Sequence, residues 1–145
     1  MTVGAETLRT DAERAFVDTN VFVYLADHGA PSKRARAAHI LQAHSAQLVV
    51  STQVIFELHN VATRKLGVGS RDLSRLMSIV SRFRMVPADR ELALRAVKFA
   101  EDLGTSIYNA AILAAAERAD CTVLLSEDAA LAKAARDIRV VNPFA

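Results

Sequence analysis

The chain has 145 residues, 52% of them hydrophobic, a size and composition suited to one compact domain with a sizeable core. Its formal net charge of +2 excludes a strongly basic polyelectrolyte binder; 14 of its 18 cations are Arg, which permits phosphate contacts without demanding them. No apolar run approaches the roughly 20 residues that a membrane span needs, and the lone Cys121 excludes an intrachain disulfide and points to a reduced, cytoplasmic setting.

In chain order, residues 1–13 read as a polar lead-in without the apolar stretch of a secretion signal, followed by one domain over 14–145. Arg14–Asp18 is a short strand stopped by Asp18-Thr19-Asn20, and Val21–Ala26 a short apolar helix. Pro31 suits a helix start, with Ser32–His44 helical and the basic run Lys33–Arg36 solvated. Gln47–Val50 is a second strand, after which Ser51 or Thr52 caps a helix running to about Leu66. In that helix Ile55, Leu58, Ala62 and Leu66 form an apolar stripe beside a polar one of Glu57, Asn60 and Arg64. Gly67 and Gly69 stop it in the left-handed conformation, and Ser70 caps the next helix. Arg84–Pro87 is a third strand, and a helix from Ala88 or Asp89 ends at Gly104. Thr105 or Ser106 caps an alanine-rich helix over Ile107–Ala119; Thr122–Leu125, Asp128–Arg136 and Ile138–Val141 complete the series as strand, helix and strand.

Short apolar strands alternating with helices predict a parallel sheet covered on both faces. Ligands of such sheets sit beyond the carboxyl ends of the strands. Asp18 and Asp128 both fall at that edge.

Each candidate acid has a structural alternative. Asp18 is placed to cap the helix after it, with Thr19 and Asn20 as turn residues, and Asp128 to cap the helix at Ala129. Glu57 interrupts Val54-Ile55-Phe56 and Leu58; it is either solvated and paired with Arg64 or aimed at the Asp18 edge. Asn109, one turn into its helix, can satisfy free backbone donors. Glu127 reads as solvent-facing, and Tyr24 and Tyr108 as core rings with base stacking as their alternative. The four histidines show no zinc spacing, and no phosphate-binding glycine loop or hydrolase triad is present.

The segments VDTNVFVYL, STQVIFELHNV, SIYNAAILAAA and CTVLLSEDAAL, in this order and spacing, resemble a PIN-domain protein of the VapC-type toxin class. The resemblance covers about Phe16–Val141. It implies an α/β fold, a three-layer α/β/α sandwich with a five-stranded parallel sheet. It also implies an endoribonuclease dependent on Mg²⁺ or Mn²⁺ that cuts single-stranded or loop RNA, frequent homodimers, and a cognate antitoxin that blocks the acidic pocket. Asp18, Glu57 and Asp128 match the family's acids, and Thr19 or Asn20 and Ser126 its supporting polar positions. Asn109 stands where the family has Asp, so the implied metal set is Asp18, Glu57, Asn109 and Asp128.

Such a set suits the chemistry. Mg²⁺ takes hard oxygen ligands and retains waters, and a carboxylate-held divalent ion can activate water toward a phosphodiester. Arg64, Lys65 or the cations of Lys33–Arg36 are candidates to orient the RNA backbone. An amide at position 109 brings no formal charge and accepts no proton at neutral pH. Two unit charges about 4 Å apart interact by roughly 4 kcal/mol at an effective dielectric of 20, so the expectation is a weakened nuclease. The alternative is a catalytically inactive PIN-like module that binds RNA or a protein partner.

Overall fold

A computed structural model describes residues 8–145. The first seven residues of the expected polar lead-in lie outside the described residues. The rest of that lead-in is anchored: Leu8 is buried, and Gln47 Nε2 donates to the carbonyls of Thr10 and Glu13.

Five strands form one sheet: β1 (Ala15–Val17), β2 (Leu48–Ser51), β3 (Arg84–Val86), β4 (Val123–Leu125) and β5 (Arg139–Val141). Their order is β3-β2-β1-β4-β5 and every pairing is parallel. Seven helices flank them in the expected three-layer α/β/α arrangement. They are α1 (Thr19–Val23), α2 (Pro31–Ala43), α3 (Thr52–Arg64), α4 (Ser70–Val80), α5 (Arg90–Leu103), α6 (Ile107–Arg118) and α7 (Ala129–Ala134). Central strands covered on both faces need no polar alternation, and β1, β2 and β4 are buried at every residue. The edge strands β3 and β5 carry the exposed or half-buried residues.

The chain runs β1-β2-β3 to one side and then crosses back to β4 beside β1. The register pairs Val17 with Leu125, so Asp18 and Ser126 emerge side by side at the carboxyl edge, at the point where the strand order reverses. Small side chains let α6 lie close to α5 and to the sheet: Ala110, Ala114, Ala115 and Ala116 are all buried.

Local punctuation follows sequence with four exceptions. Asp89 Oδ1 caps α5 by accepting from the Leu92 N–H at 2.9 Å, and Gly104 ends it at φ 62°. Ser106 Oγ caps α6 through the Asn109 N–H. The helix expected from Val21 starts at Thr19, because Asp18 caps it at once, and Tyr24–Ala26 tightens into a 3₁₀ turn. Gly67 takes the left-handed stop at φ 59°, but Gly69 is extended and itself occupies the N-cap position assigned to Ser70. Ser51 holds the N-cap place of α3 without a side-chain bond, while Thr52 Oγ1 accepts from the Ala88 N–H, tying α3 to the segment after β3. The buried stripe of α3 is Val54, Leu58 and Ala62, while Ile55 and Leu66 of the expected stripe are only half-buried and Phe56 is 76% exposed.

Candidate active site

Asp18 is 6% exposed and held from three directions. Oδ1 accepts from the Thr19 N–H at 2.7 Å; Oδ2 accepts from Ser126 Oγ at 2.7 Å and from Asn20 Nδ2 at 3.2 Å. Ser126 Oγ also accepts from Asn20 Nδ2 at 3.2 Å and from the Asp128 N–H at 3.0 Å, so one buried hydroxyl joins the ends of β1 and β4. Burial pushes the Asp18 carboxyl above its usual range against the pull of Ser126 and Thr19, and the negative charges of Glu57 and Asp128 push the same way.

Glu57 comes to this edge from the first half of α3. Its Oε2 accepts from Thr19 Oγ1 at 2.9 Å and its Oε1 from Gln53 Nε2 at 2.5 Å. Among the described residues it forms no ion pair; of the two alternatives the sequence offered, pairing with Arg64 gives way to the Asp18 edge, where Gln53 and Thr19 hold it. Asp128 spends Oδ1 on the cap of α7, accepting from the Ala130 and Leu131 N–H groups. Its Oδ2 makes no hydrogen bond to the described residues. Asn109 reaches the same place from α6, its carboxamide likewise unengaged by the described residues.

These side chains line one cleft of about 430 Å³. Asp18, Thr19, Asn20, Glu57, Asn109, Asp128 and Lys65 are all in its wall, while Ser126 lies directly beneath and Arg64 is exposed outside it. Two further acids also line it: Asp27, which the sequence did not single out, and Glu127, which it placed facing solvent. Glu127 is not free in solvent: it accepts from Tyr24 Oη at 2.5 Å and pairs with Lys33 Nζ at 3.2 Å. Tyr108 is 68% exposed at the cleft wall and is not a core ring, whereas Tyr24 is half-buried, packs against the core and also lines the cleft. Asp27 gave no motif signal, whereas Gln53 was legible as the residue four before Glu57 on one helix face.

A sequence profile described as the PIN domain matches residues 15–137. The chain belongs to the PIN domain family. No curated protein matches it. Among solved structures, this PIN domain is similar to a protein of a toxin–antitoxin complex from Klebsiella pneumoniae, with 23% identity and a TM-score of 0.68 over 89% of this chain and 97% of that one. It is similar to VapC20 of Mycobacterium tuberculosis, described as a sarcin–ricin loop cleaving toxin, with 18% identity and a TM-score of 0.70 over 86% and 98%. It also resembles a chain of DNA-bound VapBC from Salmonella typhimurium, with 16% identity and a TM-score of 0.71 over 90% and 98%. At these identities the likeness is one of fold.

The PIN domain's donor set suits a hard divalent cation. It is entirely oxygen, and among the described residues no cation pairs with Asp18, Glu57 or Asp128. Among the described residues no three His, Cys, Asp or Glu side chains close around a single point.

Proposed function

We propose that this chain is a divalent-metal-dependent endoribonuclease of the VapC toxin type, weakened by Asn109. One observation carries the proposal: four segments far apart in sequence deliver Asp18, Glu57, Asn109 and Asp128 to one cleft at the carboxyl edge of the sheet. The solved relatives described as toxins and toxin–antitoxin complexes support the same class.

In this proposal the oxygens of Asp18, Glu57, Asp128 and Asn109 would surround Mg²⁺ or Mn²⁺, one or two carboxylates holding it directly and the others, Asp128 among them, acting through its waters. The ion, when bound, supplies charge stabilisation at the scissile phosphate and acidifies water. The protein's own part is positional. Ser126 and Thr19 fix Asp18; Gln53 and Thr19 fix Glu57. Asp128 Oδ2, not consumed by the α7 cap, accepts the proton of the attacking water. Lys65 receives a backbone phosphate, as a cation in an otherwise acidic wall. Asn109 removes one negative charge and one proton acceptor without changing shape.

A cognate antitoxin that covers the cleft and a second copy of the chain are the proposed protein partners. Among the described residues no helix is long and apolar enough to cross a membrane, and a packed, reduced Cys121 fits the cytoplasm. Asn109 itself favours one other proposal, an inactive module that binds RNA or protein through the same cleft. Cleavage of single-stranded RNA in Mg²⁺, Mn²⁺ and EDTA separates the two. Asn109→Asp is expected to cut at least tenfold faster than the parent, about the loss one misplaced catalytic carboxylate produces, with both activities abolished by EDTA. Equal, metal-independent rates for the two proteins would reject the nuclease proposal.

A further inference from the structure

Glu127 differs from the other cleft acids. Among the described residues it is the only one of them in an ion pair. Its two oxygens are divided between neighbours: Oε1 accepts from Tyr24 Oη at 2.5 Å and Oε2 from Lys33 Nζ at 3.2 Å. Lys33 Nζ in turn donates to Tyr24 Oη at 3.1 Å and sits 4.8 Å from the Tyr24 ring centre and 5.7 Å from that of Phe144. Phe144 meets Tyr24 edge-on at 4.7 Å, so the aromatic pair holds the ammonium in place behind the cleft wall.

Tyr24 and Glu127 line the cleft, whereas Lys33 does not, so the Glu127 carboxylate is tied to a cation outside the cleft lining. The pair is partly open to water, with Lys33 43% and Glu127 27% exposed, and pairs this exposed are readily exchanged. A second feature points to a ligand. Asn20 lines the same cleft with its Nδ2 bonded to Asp18 and Ser126, and its Oδ1, a buried hard oxygen, has no hydrogen-bond partner among the described residues.

We propose that Glu127 is a reserve carboxylate of the cleft, parked on Tyr24 and Lys33, which on release supplies the cation-binding charge that the Asn109 amide lacks. The proposal rests on the cleft being a divalent-cation site. Tyr24 and Lys33 are then positioning residues that set how easily the charge is delivered.

The test is Mn²⁺ affinity of the metal-stripped full chain, read from free Mn²⁺ by electron paramagnetic resonance, with thermal unfolding as a folding control. Tyr24→Phe removes the hydroxyl donor without changing charge and is expected to tighten binding severalfold, while Glu127→Gln weakens it about tenfold, the scale of changes around a metal site. In the double variant the Tyr24→Phe gain should vanish, which a general field effect would not produce. In Asn109→Asp, where the fourth acid is restored, Glu127→Gln should cost less than in the parent. A Glu127→Gln protein that binds Mn²⁺ like the parent, or a Tyr24→Phe gain that persists in the double variant, overturns the reserve role while leaving the cation site standing. Failure of both the parent and Asn109→Asp to bind Mn²⁺ overturns the cation site and the reserve role with it.

Discussion

Replacing Ser126 by alanine removes the hydroxyl that joins the two strands carrying the site. Three hydrogen bonds go with it: to Asp18 Oδ2 at 2.7 Å, from the Asp128 N–H at 3.0 Å and from Asn20 Nδ2 at 3.2 Å. Ser126 is 1% exposed, so water does not readily replace the lost donor at Asp18. A bond to a charged group contributes about 1.5–3 kcal/mol and a neutral one about 1 kcal/mol; Asn20 and Asp128, nearer the cleft, recover part of theirs from solvent. The expected loss is about 3 kcal/mol, a large share of the roughly 5–15 kcal/mol typical of a folded domain. At a slope of about 2 kcal/mol per molar urea, the unfolding midpoint falls by about 1.5 M. The same substitution in an Asp18→Asn background should cost less, because the neutral amide suffers less from the missing donor. A Ser126→Ala loss below about 1 kcal/mol, additive with Asp18→Asn, would refute the view that this hydroxyl holds the carboxylate.

Acid should weaken the fold through Glu13 and Asp89. The Arg9 N–H and then Arg139 hold the Glu13 carboxyl below its usual range, and the Leu92 N–H and then Arg118 do the same for Asp89. A depressed native pKa means that the unfolded chain binds more protons, so this stability is present above the ordinary carboxylate range and lost as pH falls through the native values. Asp89 is exposed and Glu13 partly so, so the effect is modest and shrinks in salt; buried Asp18, pushed upward, works in the opposite sense. Urea midpoints of a Glu13→Gln, Asp89→Asn double variant should therefore vary less with acid pH than the parent's, and identical profiles would contradict the assignment. The Cys121 thiol, pushed up to about 12 chiefly by burial, should react with a disulfide reagent at pH 8 at least about a hundredfold more slowly than in urea. Equal rates would show the thiol open. Leu58→Ala, at a fully buried position of α3, should cost about 2–5 kcal/mol in urea unfolding, and a loss near zero would show that this stripe is not core.

Much of the fold was legible because its signals are local. Apolar triplets marked the strands, Asp89, Ser106 and Asp128 announced their caps by residue type, and Gly67 and Gly104 their left-handed stops. The errors came where a distant partner decides. Glu127 looks like a surface acid until Lys33, 94 residues away, is brought against it. Ile55 was placed on the buried stripe of α3, yet which side of that helix packs inward is set by tertiary contacts, and Val54 takes that place beside Leu58 and Ala62. Tyr108 was assigned inward for the same reason and faces out. Motif order singled out four positions that meet in one cleft, but the bonds that orient Glu57 and Asp18, from Gln53 and from Ser126, span different ranges, and only the first had a sequence signature.

The most direct test of the central claim is an anomalous difference map from crystals of the chain and of Asn109→Asp soaked in Mn²⁺. The account predicts a peak in the cleft bounded by Asp18, Glu57, Asp128 and residue 109, stronger in the variant. A peak confined to another surface, or none in the Asn109→Asp crystals, would contradict it.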